Sequence, residues 1–575
     1  MRRRALLGLT IVAGLAWALL APLAAQRTGD PADLVVVNGT VVTLDRADSR
    51  AQAIAIHHGR IVAVGSDAAV RAWAGPSTQV IDARGRTVIP GLIDSHVHAL
   101  GAAPVEAVRP FRTLSSVQEL QAWIRDEATR SPGTGWIWSP RVYPTRLKEG
   151  RFPTREELDA AVADRPVVAD GAYAFVLNTA ALRAAGITAE APDPAGAQIV
   201  RGPGGEPTGL LRNARSALSR YLPAPTAALP LAEIEALHRV YLESGITSVI
   251  ERGATVAGYR AYEALKASGR LHVRATVTLM LPAGLQVSDV ARVIDALPLQ
   301  PGQGDDRLKV GPLKLTVDGG ILLGTSYMRE PYGPRSRALY GVQGDDYRGF
   351  LSASPAVIHE VMKVGHARGW QMSAHVTGDA GVDVVLDAFE AAQRAHPRPD
   401  PRHTLIHAYF PTPEVARRVA ALGVQVDTQP AWFYKDADAL LGALGSPRLQ
   451  HFIGVKTWRD AGVRVALNTD HMFGADRDTA MNPFNPFLTI ATAVTRRTES
   501  GRRIGAAEAV SRLEALRMMT IDAAALSFDE ANRGSIEVGK LGDLAILSDD
   551  LLTCPADRIR HIKADVTIVG GQVVR

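Results

Sequence analysis

Apolar, β-prone runs separated by turns occur at both ends of the chain. Near the start these runs are Leu34–Val37, Val41–Leu44, Ala53–Ile56 and Ile61–Val64. The pairs Asn38-Gly39 and His58-Gly59 stand between them, as is typical of hairpin turns. Near the end, Asp543–Ser548 and Val566–Val574 repeat the pattern. Two all-β ends that flank a long middle predict one small β-sandwich domain, assembled from residues 26–88 and 534–575.

The middle of the chain alternates apolar strand-like runs with helical stretches. Beyond residue 240 the runs are Ile246–Ile250, Val273–Leu281, Leu313–Val317, Gln371–His375, Thr404–His407, Val424–Thr428 and Val463–Thr469. The run that leads into His96 adds one strand and makes eight. Helices such as Val382–Ala395 and Pro413–Leu422 lie between several of them. This alternation predicts that residues 89–533 form an α/β fold, a (β/α)8 TIM barrel.

Residues 101–230 interrupt the alternation after the first barrel strand. The segment is rich in proline and glycine, with a predicted helix at Ser116–Thr129 and a turn at Gly202–Pro207. We therefore predict that it is an inserted cap or lid subdomain.

The first residues have the layout of an export signal. Arg2–Arg4 precede the apolar run Ala5–Leu20, and Pro22–Gln26 offer a small-residue cleavage site. Residues 1–25 are therefore predicted to direct export to the periplasm or the medium. Arg3–Leu7 also partly resemble a twin-arginine signal. A retained membrane anchor is the alternative, because about 18–20 apolar residues can span a bilayer.

Composition narrows the partners of the rest of the chain. Hydrophobic residues make up 46% and charged residues 21%, as in ordinary globular proteins. The net charge of +5 falls to about +2 without the three arginines of the acid-free export segment, and no basic block favours nucleic acid. The single cysteine, Cys554, excludes an intramolecular disulfide and a thiolate metal cluster. The expected partner is a small molecule, with membrane contact only through an uncleaved signal. A second copy of the chain, in a homodimer, is the other partner considered.

The stretch Val88–Leu100 contains the first candidate chemistry. An apolar strand and the break Pro90-Gly91 lead to His96 and His98, which are two residues apart and point the same way on a strand. Neutral imidazole is a common ligand of zinc and related divalent ions. The structural alternative is a chance pair of histidines, which only further ligands downstream can exclude.

Four more polar residues stand at the ends of later predicted strands. They are Lys314, His375, His407 and Asp470. Alone, each has a structural explanation, such as a buried core histidine, a lysine that extends its charge to solvent, or a helix N-cap aspartate. Because active sites of such barrels lie at the carboxyl ends of the strands, the six residues together predict a metal centre there.

With these residues the chain resembles the metal-dependent hydrolases of the amidohydrolase superfamily. The similar branch is that of N-substituted formamide deformylase and YtcJ-type proteins, amidohydrolase family 3. The resemblance covers nearly the whole chain after the export segment. Its motifs are Ala32–Gly39, Pro90–His98, Lys314–Gly320, Pro331-Tyr332, His375–Asp379, Ala493–Arg496 and Gly534–Asp543.

The resemblance implies a site with two divalent metal ions, expected to be zinc. The ligands would be His96, His98 and Asp470 for one ion, His375 and His407 for the other, with carboxylated Lys314 as the bridge. It also implies that a metal-bridging hydroxide attacks an amide-like C–N bond, with Asp470 as proton shuttle. The expected substrate is an N-formyl, N-acyl or cyclic amide.

Three further residues are candidates for substrate contact. Tyr173 stands where the branch has a histidine ahead of Asn178. Asp318 lies in an Asp-Gly-Gly loop, where a plain turn residue is the alternative. His471 follows Asp470 and could instead be a solvated loop residue.

The chain also departs from the branch in two other places. Residues 209–213 end in asparagine where the branch has glutamate, and residues 471–473 stand where the branch has Ala-Pro or Trp-Pro. The aromatic and apolar replacements indicate a less polar substrate.

Two other functions remain open from the sequence. One is a mononuclear aminohydrolase, a deaminase-like enzyme that acts on a nucleobase-like ring. Enzymes of that class use a glutamate shortly after the fifth-strand histidine, whereas His375 is followed by Val-Thr-Gly-Asp-Ala. The other is a non-catalytic scaffold with the same barrel, which the presence of all six predicted ligands disfavours. Metal content would separate the three.

Overall fold

The computed structural model describes residues 30–194, 196–215, 217–222 and 229–575. The predicted export segment therefore lies outside the described residues. Within these ranges, none of the helices has the length and apolar character that a membrane span requires.

Eight parallel strands form the central sheet and follow one another in chain order. They are Leu92–Val97, Ile246–Ala254, Arg274–Met280, Leu308–Thr316, Met372–Val376, Thr404–His407, Gln425–Thr428 and Val465–Leu467. A parallel bridge between Val97 and His471 brings the first strand beside the end of the eighth, so the sheet is nearly closed. This confirms the predicted α/β barrel class. The eighth strand is shorter than predicted, because the chain leaves the sheet at Asn468 to reach Asp470.

Helices connect the barrel strands on the outside. From the helix that precedes the second strand up to the eighth strand, they are Leu231–Glu243, Val256–Ala267, Val290–Asp295, Arg337–Tyr340, Pro355–Ala367, Asp379–Ala395, Pro413–Ala421, Pro430–Leu444, Ser446–Leu449 and Val455–Asp460. Three more follow the eighth strand: Pro486–Thr495, Arg512–Met518 and Ile521–Ala525. Capping residues fix the start of several of these helices. At one of them the Ser354 hydroxyl accepts from Val357 N, and Pro355 takes the first helical position.

Both chain ends contribute to one six-stranded sheet. Its strands are Thr40–Val42, Arg50–Ala51, Thr87–Pro90, Leu544–Leu547, Ala564–Val569 and Gln572–Val573. A four-stranded sheet of Leu34–Val37, Ala53–His57, Arg60–Gly65 and Gln79–Asp82 shares an apolar cluster with it. Gly91 then carries the chain into the barrel past Thr247, whose Oγ1 would lie 2.2 Å from a Cβ at that position. Only glycine fits that crossing.

The inserted segment contains its own five-stranded sheet. The strands are Ile137–Arg141, Val167–Asp170, Ala174–Leu177, Gln198–Arg201 and Pro207–Arg212. The helices are Ala99–Val108, Val117–Arg130, Arg155–Ala161 and Thr179–Ala185. Tyr173, in the turn between two of these strands, lies 3.5 Å from His375, so this turn reaches the place where the predicted ligands lie.

Candidate metal centre

His96, His98 and Asp470 form a compact group at the carboxyl ends of the first and last strands. The two Nε2 atoms are 3.1 Å apart, and Asp470 Oδ1 lies 3.4 Å from each. Ligands about 2.0–2.1 Å from a tetrahedral zinc ion are roughly 3.3 Å from one another. Oδ1 is buried and has no hydrogen-bond partner among the described residues. A buried carboxylate oxygen without a partner is costly, and a cation held by these three atoms would satisfy it.

The Asp470 carboxylate is held in one orientation. Trp432 Nε1 donates to Oδ2 at 2.9 Å, and the Asn482 amide donates to the Asp470 carbonyl at 2.9 Å. The backbone at Asp470 has a φ of 49°, which non-glycine residues adopt rarely and at a cost. The surrounding bonds thus maintain a strained backbone that directs Oδ1 at the two histidines.

His375 and His407 form the second group, with His375 Nδ1 only 2.8 Å from His407 Nε2. Their other nitrogens are committed as donors. His375 Nε2–H donates to the Gly319 carbonyl at 3.2 Å, and His407 Nδ1–H donates to Gln429 Oε1 at 2.7 Å. In the neutral tautomers that these bonds select, two nitrogen lone pairs face each other. A positive charge between or beside them is needed to make the arrangement favourable.

Burial keeps all four imidazoles neutral. It lowers the pKa of each histidine, that of His407 to about 4. Protonation is therefore an unfavourable way to supply the missing positive charge near neutral pH. Neutral imidazoles are also the form that binds metal. His407 has a φ of 78°, so this group too includes a strained backbone position.

Lys314 lies beside the first group, with Nζ 3.5 Å from His96 Nε2. The side chain is buried, and its ammonium has no carboxylate partner within the described ranges. Burial lowers the pKa of Lys314 to about 8, which the charge of Asp470 partly opposes. The rings of His96 and His407 are 5.5 Å apart, so the two groups and the lysine share one site.

The chemistry of the donors fits divalent metal ions. Four neutral imidazole nitrogens and one carboxylate oxygen are typical zinc ligands. The oxygen without a partner and the facing lone pairs both call for a cation at this position. The structure thus brings together all six residues that the sequence predicted for the site.

The structure also shows supporting residues that the sequence analysis missed. Asp427, on the seventh strand, pairs with buried Arg252 at 2.8 Å and accepts from Ser95 and Asn468 at 2.5 Å. These bonds tie the first, second, seventh and eighth strands together below the histidines. Gln429 follows the end of its strand, a position that could have marked it as a site residue.

The three candidate substrate contacts differ in outcome. Tyr173 OH lies 3.5 Å from His375 Nδ1, within the site. The Asp318 oxygens accept from the backbone N–H groups of Thr377, Gly378 and Tyr327 at 2.8–3.0 Å and so fix the loop around His375. Substrate contact by Asp318 stays a prediction.

His471 lies in the loop after Asp470. It is completely buried, its Nε2–H donates to the Gly474 carbonyl at 2.7 Å, and its Nδ1 lies 2.7 Å from Tyr241 OH. Both nitrogens make hydrogen bonds within the protein, so this side chain shapes the loop, and its contact with a substrate stays a prediction.

Comparisons with known proteins agree with this fold. Residues 79–575 match the model of the family described as "Amidohydrolase family". N-substituted formamide deformylase of Arthrobacter pascens is 30% identical over 94% of this chain and 97% of its own length. The putative amidohydrolase YtcJ of Bacillus subtilis is 25% identical over 93% and 98%. A metal-dependent hydrolase structure from Pyrococcus horikoshii has the same fold, with a TM-score of 0.66 at 21% identity, covering 91% of this chain and 99% of that one.

Proposed function

We propose that this chain, which belongs to the amidohydrolase family, is a metal-dependent hydrolase that cleaves the C–N bond of an amide-like substrate. The observation that carries the proposal is Asp470 Oδ1, buried without a partner 3.4 Å from two histidine nitrogens. A relative that is named a formamide deformylase supports N-formyl amides among the candidates. N-acyl and cyclic amides present the same bond.

Two ions, most simply zinc, are proposed for the site. The ligand sets would be His96, His98 and Asp470 for one ion, and His375 and His407 for the other. Bound divalent ions would make water nucleophilic near neutral pH and polarise the substrate carbonyl. The lone pairs facing each other across 2.8 Å support a cation at the second set.

Asp470 is proposed as the proton carrier. Its Oδ1 is free of hydrogen bonds within the described ranges, while Trp432 Nε1 holds Oδ2. As water attacks the carbonyl carbon, the Asp470 carboxylate would accept its proton and then deliver it to the leaving nitrogen when the C–N bond breaks. A carboxylate fixed at one oxygen can make both transfers without rotating.

Lys314 is proposed to carry a carbamate. Carbon dioxide adds to the neutral amine, which then loses a proton and becomes an anionic group with two oxygens. The amine is buried and makes no ion pair with a carboxylate among the described residues. An ammonium repels cations, whereas a carbamate at this position could bridge the two ligand sets.

The experiment is a hydrolysis screen of N-formyl, N-acyl and cyclic amides with the zinc-loaded protein, together with its metal content per chain. Release of amine with two ions per chain is the expected result. One ion with release of ammonia from a nucleobase-like ring would favour the aminohydrolase. A protein that binds no metal and hydrolyses nothing would be the scaffold, and the proposal would be wrong.

A further inference from the structure

We infer that Arg141 binds a carboxylate of the substrate, so that the preferred substrate is an N-acyl or N-formyl amino acid with an apolar side chain. The inference rests on the proposed function and narrows its substrate class. It starts from an arginine of the inserted sheet that no step of the proposed reaction uses.

Arg141 ends the strand Ile137–Arg141 at the mouth of the barrel. Its guanidinium carbon lies 5.8 Å from the ring centre of Phe473, three residues after Asp470. Because Phe473 and Asp470 belong to the same loop, the guanidinium lies beside the loop that carries a proposed ligand.

The hydrogen bonds of Arg141 leave one edge of the guanidinium free. Nη1 forms an ion pair with Asp170, and both side chains are mostly buried. Nε is buried and has no hydrogen-bond partner among the described residues, and the ion pair with Asp170 does not involve Nη2. An arginine donor that is buried without an acceptor carries a desolvation cost.

The same edge binds carboxylates elsewhere in this protein. Arg274 donates from Nε and Nη2 to the two oxygens of Asp543, at 2.6 and 2.9 Å. Arg329 does the same to Asp383, with both distances 2.6 Å. Such side-on pairing matches the geometry of a carboxylate. At Arg141 no carboxylate of the described residues pairs with the Nε and Nη2 edge of the guanidinium. A carboxylate of the substrate could bind there.

The apolar part of the substrate has a matching surface. Phe473 stacks with Phe111 at a ring distance of 6.0 Å, directly beside the guanidinium. Tyr143 packs edge-on against Trp432, whose Nε1 holds Asp470. An amino acid with an aromatic or large aliphatic side chain would place its carboxylate at Arg141 and its side chain on these rings.

The test compares two amides that differ only in the carboxylate: N-formylphenylalanine, as both enantiomers, and N-formyl-2-phenylethylamine. The zinc-loaded full chain should favour the anionic amide in kcat/KM. Arg141→Met should lower the ratio of the two kcat/KM values about 10- to 100-fold, the range that one charge-assisted hydrogen bond is worth. The loss should fall mainly on KM, since the arginine does not touch the reacting atoms.

Two further variants control for charge and folding. Arg201→Met removes a guanidinium of the same inserted sheet that pairs with Asp193, and it should keep the wild-type ratio. The double variant Arg141→Met with Asp170→Asn avoids a buried unpaired carboxylate, and it should lose the ratio as the single variant does.

The outcomes separate this inference from the proposed function. If the neutral amide is hydrolysed at least as well as the anionic one, or the ratio survives in both Arg141 variants, the inference is wrong while the hydrolase stands. If neither amide is hydrolysed by the zinc-loaded protein, both fail together.

Discussion

Histidines cluster at both ends of the barrel strands, and the two clusters are bonded in opposite ways. At the carboxyl ends, His375 and His407 direct lone pairs at each other across 2.8 Å. At the amino ends every nitrogen is used. Met372 N donates to His403 Nδ1 at 3.0 Å, His403 Nε2 donates to His366 Nδ1 at 2.8 Å, and His366 Nε2 donates to a backbone carbonyl at 2.6 Å.

The difference shows that burial does not identify a metal ligand. His403 and His407 lie at opposite ends of one four-residue strand, and both are almost fully buried. Burial lowers the pKa of both. What separates them is an unused nitrogen lone pair. His407 has one, whereas both nitrogens of His403 make hydrogen bonds. Variants in the two clusters should therefore fail in different ways.

Asp470→Asn should have the largest effect, because it removes the one carboxylate of the carboxyl-end cluster. An amide cannot accept the proton, so turnover should fall by about 10²- to 10⁴-fold while the protein stays folded. Steady-state rates and circular dichroism measure the two effects. Asp193→Asn is a control outside the cluster, because that carboxylate pairs with Arg201 in the inserted sheet, and it should keep the wild-type rate. An unchanged rate in Asp470→Asn would disprove the proton-transfer assignment.

The six-residue site could be predicted from the sequence because each ligand lies at or just beyond the end of a strand. Strand ends are local features, and the barrel places all of them on one face. The partners of those ligands were not predictable. Gln429 and Trp432 come from the loop and helix after the seventh strand, and the orientation of their side chains depends on tertiary packing.

The same limit applies to the predicted substrate contacts Asp318 and His471. Both lie beside predicted ligands in the sequence, yet backbone groups of the protein use their polar atoms. Sequence spacing shows which residues are near a site. It does not show which of their atoms remain free.

Lys314→Ala removes a buried amine that the carboxyl-end cluster has and the amino-end cluster lacks, so it tests whether that amine contributes to metal binding. We expect metal affinity to drop at least about tenfold, since ligand and near-ligand changes cost about 10- to 100-fold. Short carboxylic acids should restore part of it by replacing the carbamate. Metal content after dialysis, with and without added acetate, measures both. Full occupancy in the alanine variant would exclude a bridging role.

Exchanging histidine for alanine at each end of the same strand is the most direct comparison. His407→Ala should lose metal but cost little stability in the metal-free protein, because it removes one of two opposed lone pairs. His403→Ala should keep the metal and lose about 1–3 kcal/mol, because Met372 N and His366 are left without a partner. Metal analysis and urea denaturation of both variants give the result. Equal loss of metal in the two would contradict the distinction.

The pH dependence of stability is the smallest expected effect, and it tests the amino-end cluster alone. Burial and the neighbouring charges of His366 and Arg398 hold the pKa of His403 well below its usual value. The unfolded chain, with a histidine pKa near about 6.5, then binds a proton that the folded chain does not. The stability that neutral His403 contributes is complete above pH 6.5 and is lost as the pH falls. At up to about 1.4 kcal/mol per pH unit, the loss between pH 6.5 and 5 is at most about 2 kcal/mol.

His403→Gln isolates that contribution, because glutamine can accept the Met372 hydrogen bond but does not titrate. Urea unfolding of both metal-free proteins should show a wild-type advantage that is largest at pH 7 and shrinks by up to about 2 kcal/mol at pH 5. The carboxyl-end histidines titrate equally in both proteins, so they cancel in the difference. If the advantage stayed constant with pH, His403 would bind its proton equally in the folded and unfolded chains. The assignment of His403 as a neutral, fully hydrogen-bonded histidine would then be wrong, and the comparison of the two clusters depends on that assignment.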